Sequence, residues 1–307
     1  MAALDAVFPF AGRMLRRLPV SRDQVMLLLM AVNLIFLGVD TFLAHSLSGT
    51  IRTYEWIPIL FGPVAGALLL AAGLIAMRRR SAATVLACGV FTLSFLVGVL
   101  GTYFHLRRVL IGIAPVGETL PLLVWAPPAL GPLAFCLMGW VGISAVWPED
   151  PVDSGRLNLL GGRTLQLPYS KTQAYYFLVG LGLLMSLISS TLDHARTGFS
   201  NPWLVVPLAA GVFGAVVPIV TGLIDRPSRS DLITYSATMA MMILVGVVGA
   251  FLHVRADLSG GPASQVIPER FLRGAPFLAP LLYANFGMLG LIALMGEKEK
   301  KPKEGEQ

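Results

Sequence analysis

Charge is scarce in this chain of 307 residues: Asp, Glu, Lys and Arg make up 13% of it, where a soluble domain carries about 25%. So few charges exclude a surface that faces water all round. Cysteine is nearly absent. Cys88 and Cys136 both fall in apolar segments, which excludes a disulfide framework and a paired-thiolate metal motif. There is no phosphate loop, zinc-protease helix, serine-nucleophile elbow or dinucleotide fingerprint, so a soluble-type enzyme site is not expected. The first 23 residues lack the basic, apolar and small-residue order of a cleavable signal peptide.

What the chain has is apolar sequence, with a mean hydropathy of +0.74. About 20 consecutive apolar residues span the hydrocarbon core as a helix. Eight such spans are expected: Gln24 to His45, Ile57 to Met77, Ala82 to His105, Leu120 to Trp147, Thr172 to His194, Trp203 to Ile224, Leu232 to Val254, and Pro276 to Met295. A barrel would show alternating segments of about 10 residues instead. Residues 1–23 resemble a short amphipathic surface helix, and the charged tail from 296 to 307 reads as disordered.

Eight spans put both termini on one side. That side collects 16 of the 23 basic residues, against 7 on the other. The positive-inside rule then places both termini in the cytoplasm, in an inner (plasma) membrane. The net charge of +6 sits in short loops and tails. Anionic lipid headgroups of the bilayer, rather than nucleic acid, are its expected partner.

The halves repeat. "LVGVLGTYFHLR" (Leu96 to Arg107) matches "LVGVVGAFLHVR" (Leu244 to Arg255) at seven of twelve positions. "LAHSLSG" (Leu43 to Gly49) matches "LDHARTG" (Leu192 to Gly198) through Leu, His and Gly. "APPALGPL" (Ala126 to Leu133) resembles "APFLAPLL" (Ala275 to Leu282). These matches predict an all-α integral membrane protein of two tandem four-helix repeats, residues 24–147 and 172–295, joined by a cytoplasmic linker, 148–171. An even number of spans per copy makes the repeat parallel, about an axis along the membrane normal.

The candidate site is a layer of four histidines, His45, His105, His194 and His253. Each closes an odd-numbered span, so all four are expected near the outer face, as two repeat-related pairs. A single histidine at a helix end commonly just satisfies the last carbonyls. Two pairs kept by otherwise diverged halves favour ligation. Imidazole binds haem iron, copper, zinc and iron. Neighbouring axes lie about 8–10 Å apart and a bundle diagonal roughly 12–14 Å. Diagonal histidines would suit a haem plane; adjacent ones would suit a bare ion.

Arg107 and Arg255 each follow a histidine by two residues and could pair with a haem propionate or a quinone carbonyl, or simply snorkel to the interface. Asp40, inside the first span, is a proton-relay candidate. Three functions compete. One is a redox subunit with haem b, passing electrons between quinone and an outer-face partner protein. Another is a transporter or channel for a small solute or metal ion. The last is a structural anchor for other membrane subunits.

Overall fold

The computed structural model describes residues 20–46, 49–110, 124, 128, 130–260, 269–271 and 274–295. Residues 1–19 of the expected amphipathic segment (1–23) and the charged tail lie outside these. Eight α-helices carry the fold among the described residues: α1 (Arg22–Ser46), α2 (Trp56–Ala76), α3 (Arg80–Leu110), α4 (Leu133–Val146), α5 (Lys171–Ala195), α6 (Val205–Leu223), α7 (Arg229–Gly260) and α8 (Leu281–Ala293). Six, α1 to α3 and α5 to α7, are long and apolar enough to cross a membrane. The expected fourth and eighth spans appear as shorter apolar helices of 14 and 13 residues. Prolines set where these begin: Pro132 and Pro280 are their N-caps, and proline suits a helix start because it has no N–H to leave unpaired.

Local sequence explains the other starts. Ser21, Ser170 and Ser228 each precede a Gln or Asp by three residues. Gln24 N–H donates to Ser21 Oγ and Ser21 N–H to Gln24 Oε1. The same reciprocal pair forms between Ser170 and Gln173 and between Ser228 and Asp231. These capping boxes satisfy N–H groups that no preceding turn can reach.

In the first half α1 packs on α2, α2 on α3, α3 on α4, and α4 back on α1. In the second, α5, α6, α7 and α8 close the same ring. The halves meet where α4 touches α5 and α1 touches α8. Asn33 Nδ2 on α1 donates to Asn285 Oδ1 on α8 at 2.9 Å, a polar pin across that seam. The core runs through both rings, from Met26, Met30 and Leu34 to Tyr235, Met239 and Met242, each 0% exposed. Large apolar side chains also cover the outside, with Leu74 71% and Phe251 63% exposed. An apolar exterior of this extent suits lipid and not water.

Glycines let the helices touch backbone to backbone. A methyl on Gly98 would lie 2.5 Å from Cys136 N, and one on Gly246 would lie 2.5 Å from Ala284 N. A methyl on Gly139 would lie 2.6 Å from Phe91 O, and one on Gly287 would lie 2.7 Å from Met239 O. The α3–α4 and α7–α8 crossings therefore use the same device.

The segment between the halves is folded and does more than carry charge. β1 (Arg156–Asn158) and β2 (Thr164–Gln166) form an antiparallel hairpin with Arg156 opposite Gln166. Gly161 and Gly162 turn it at positive φ, which glycine adopts without strain. Glu149, 4% exposed, gathers the segment. Its Oε1 accepts from Gly155 N and Lys171 N, and its Oε2 accepts from Asp153 N.

Two of the basic residues that hydropathy leaves just outside the expected spans, Arg22 and Lys171, are each 1% exposed. Both helices begin one or two residues earlier than hydropathy suggests, so these charges fall in the first turns and are drawn inward. Lys171 Nζ is ion-paired with Asp23 Oδ2 and donates to Trp147 O at 2.7 Å. Tyr175 Oη donates to Asp23 Oδ1 at 2.9 Å. Arg22 Nη1 donates to Thr172 Oγ1, which in turn donates to Asp153 Oδ1, both at 2.7 Å. The Arg22 guanidinium stands 5.1 Å from the centre of the Tyr175 ring. This buried network joins α1, α5 and the folded segment at the end of the bundle opposite the histidines.

Candidate functional site

α1 and α3 lie on a diagonal of the first ring, as α5 and α7 do in the second. His45 is the second-last residue of α1. His105 is five residues short of the end of α3, which runs on to Leu110. The two half-buried rings meet in a T-shaped arrangement, with centroids 6.1 Å apart and planes at 67°. Tyr54 stacks on Phe104 at 5.1 Å, and Phe42 meets Trp56 at 6.5 Å, so aromatic rings flank the pair.

Each ring is oriented by a backbone carbonyl. His45 Nδ1 donates to Thr41 O at 2.8 Å. His105 Nδ1 donates to Pro128 O at 2.9 Å, and His253 Nδ1 donates to Pro276 O at 3.1 Å; each acceptor lies 23 residues further along the chain. A carbonyl can only accept, so Nδ1 carries hydrogen in all three. In the neutral ring the lone pair then sits on Nε2, the arrangement second-shell carbonyls impose on ligating histidines. His194 stands near enough to His253 and Asp193 to interact electrostatically with both.

These bonds also correct the register between the halves. Pro128 stands where Pro276 stands, and Pro132 where Pro280 does, since Gly98 meets Pro132 O and Gly246 meets Pro280 O. The matched segments are therefore "PALGPL" and "PFLAPL", one residue away from the match read by composition.

Arg107 and Arg255 lie on the exposed surface beyond the histidines. Asp40 is half-buried on α1. The most deeply buried acids among the described residues are instead Asp23, Glu149 and Asp257. Sequence reading passed over Asp257 because it lies past the expected end of the seventh span. Its signal was its place one helical turn after His253. It is 6% exposed, and its Oδ1 accepts from Ala275 N at 2.7 Å. A methyl on Gly274 would lie 2.0 Å from the same oxygen. Asp257 and His253 thus hold consecutive residues of the chain entering α8. Arg196 ties this end to the first half, donating from Nε to Val124 O at 2.7 Å while lying 3.8 Å from Asp193.

Among the described residues no group of three or more His, Cys, Asp or Glu is arranged to hold a metal ion. What the arrangement offers is two imidazoles per ring of helices. The fold and this site define a multi-pass helical membrane protein with histidine pairs at one end. The chain matches no known protein family, curated protein or solved structure.

Proposed function

We propose that this chain is the electron-transfer subunit of a membrane oxidoreductase. Its histidine pairs, His45 with His105 and His194 with His253, ligate haem b near the outer face. In this reading the eight helices are two tandem four-helix repeats, both spanning the inner membrane with their termini in the cytoplasm. The recurring Gly–Pro and His–Pro contacts of the two rings support the repeat.

The observation that carries the reading is the His45–His105 pair. A ring centroid lies roughly 3 Å from a metal ligated through Nε2, given a metal–nitrogen bond of about 2.0–2.1 Å. Two rings on opposite sides of one ion then have centroids about 6 Å apart, and the observed separation is 6.1 Å. The ligand number favours haem over a bare ion. Zinc or copper bound by protein alone wants about four ligands. A haem would bring four nitrogens of its own, and one such histidine pair would complete its ligands. When bound, it supplies a one-electron couple.

The chain's part is orientation and shielding. The Thr41, Pro128 and Pro276 carbonyls hold ring tautomers. Tyr54, Phe104, Phe42 and Trp56 flank the first pair. Arg107 and Arg255 are placed to meet propionates or a docking redox protein. Quinone is the membrane-dissolved electron donor or acceptor this reading requires. Transport is less favoured, since charge is sparse inside the spans and the buried polar groups there, among them Ser94, Thr221, Ser236, Thr238 and Asn285, are neutral.

The test is a reduced-minus-oxidised visible spectrum with haem and metal analysis on protein purified from its native cofactor supply. Sharp haem bands are expected. His105→Ala and His253→Ala should each remove about half of them, because each pair holds one haem. Correctly folded protein without haem would end the reading. Stoichiometric copper, iron or zinc in its place would turn it to a chelate site.

A further inference from the structure

We infer that Asp40 is a proton-exchanging carboxyl set in the seam between the halves, reached from the histidine end and closed toward the opposite end. The inference goes beyond the redox reading and does not rest on haem.

Asn33 fixes where the carboxyl stands. Asn33 and Asp40 are seven residues apart on α1, two helical turns, so they share a face. That face is the seam, because Asn33 bonds to Asn285 of α8. At about 1.5 Å per residue, Asp40 lies about 10 Å beyond this pin toward the histidine end. α8 enters from that end, since the Pro276 carbonyl that precedes it accepts from His253. It begins at Leu281, four residues before Asn285 and so only about 6 Å beyond the pin. Asp40 therefore stands level with the turn that enters α8, not with the helix.

The carboxyl is half-buried, yet among the described residues it makes no hydrogen bond and no ion pair. The neighbouring hydroxyl, Thr41 Oγ1, is committed to Leu37 O. Of the helices packed on α1, α2 carries no titratable side chain. α4 carries only Cys136, whose Sγ donates to Phe95 O. α8 carries only Tyr283, which stands beside Ser190. On α1 itself Arg22 and Asp23 lie at the opposite end, and His45, five residues on, is turned well off this face. An isolated charge inside a membrane is costly and marks a functional group by default. A hard metal ion would want about six oxygen ligands, and the chain supplies one carboxyl. A single proton needs no more than that.

The other direction is shut. Asn33 and Asn285 bond to each other, and beyond them Met30 and Met26 are each 0% exposed. Asn33 stands ten residues, about 15 Å, from Asp23, and Asp23 is itself tied to Lys171 and Tyr175. A proton on Asp40 thus meets apolar packing on its way onward, and the site binds without conducting. The second half does not repeat it. With His194 matched to His45, Ser189 stands in the place of Asp40. The acid nearest that level, Asp193, lies 3.8 Å from Arg196. The seam therefore holds one such carboxyl per chain.

The experiment follows the full chain in phospholipid nanodiscs by infrared difference spectroscopy as pH is varied. One carbonyl band of a neutral carboxylic acid in an apolar setting is expected to appear and vanish reversibly. Asp40→Asn should remove that band, and Asp40→Glu should shift it but keep it. Access is read with cysteine. In a Cys88→Ala/Cys136→Ala background, Asp40→Cys should react with a charged, water-soluble thiol reagent about tenfold faster than Phe36→Cys, because only a wetted thiol ionises. Phe36 lies one turn away and is 55% exposed, so contact with lipid alone predicts the reverse order. Liposomes loaded with a pH dye should acidify no faster with the protein than without it. Monodispersity and helix content of each variant guard against misfolding. Identical wild-type and Asp40→Asn spectra at every pH, no faster reaction at Asp40→Cys than at Phe36→Cys, or a proton leak that Asp40→Asn abolishes would overturn the proposal. None of these readouts needs haem, so the redox reading and this one fail separately.

Discussion

Asp23→Ala is expected to destabilise the protein by about 3–5 kcal/mol, the usual cost of removing one partner from a buried ion pair. Asp23 is the acceptor that neutralises Lys171 Nζ and receives the Tyr175 hydroxyl, with Arg22 Nε 3.6 Å away. Its loss leaves two cationic side chains, each 1% exposed, in a site too dry to solvate them. Lys171→Met alone should cost a similar amount, because it strands Asp23. The double variant Asp23→Leu/Lys171→Met should recover much of the loss, since replacing a buried pair by apolar groups of similar size is often neutral. Equilibrium unfolding in mixed micelles of the wild type, Asp23→Leu, Lys171→Met and the double variant measures the coupling directly. Additive losses in the double variant would show that the two residues do not act as a pair.

Gly62→Val is the second large effect. A Cβ there would sit 2.5 Å from Leu34 O, 2.7 Å from Gly38 N and 2.8 Å from Gly38 Cα. These are backbone atoms of α1, so no rotamer change relieves the clash and the α1–α2 pair must part. Overpacking of this kind costs about 1–3 kcal/mol or more. Gly73 is the internal control. It lies in the same helix, and a Cβ there meets nothing within 4 Å. Gly73→Val should change stability by less than about 0.5 kcal/mol. Because α1 carries His45 at its far end, Gly62→Val should also disturb the 6.1 Å approach of His45 to His105, and on the proposed haem reading the visible spectrum would report it. Equal effects at both glycines would mean that close packing of α1 on α2 is not what holds this part of the bundle.

The two networks at opposite ends of the bundle explain each other. At one end Asp23, Lys171 and Arg22 join the halves through charge, far from the histidines. At the other, Arg196 reaches across to Val124 O. Between them Asn33 and Asn285 bond across the apolar seam. These three contacts hold the halves against sliding at three depths.

Much of the helix inventory was legible from sequence, because hydropathy and capping are local. Six of the expected spans are helices long and apolar enough to cross a membrane, and Ser21, Ser170 and Ser228 mark their starts by residues three apart. The ends were less legible. α3 and α7 run past His105 and His253, since helix propensity continues after hydropathy falls, and this hid Asp257. Whether His45 and His105 stand diagonally or side by side was open until helix packing placed α1 and α3 on a diagonal. No local pattern could show that Arg22 and Lys171 are buried. Whether a charge meets water or a partner depends on residues 148 and 150 positions away. Sequence by itself determined that this chain is helical and apolar, with histidines near helix ends, because each of those properties resides in a few consecutive residues. Tertiary structure alone decided which imidazoles come together and which charges leave water, because each of those depends on groups that only packing brings together.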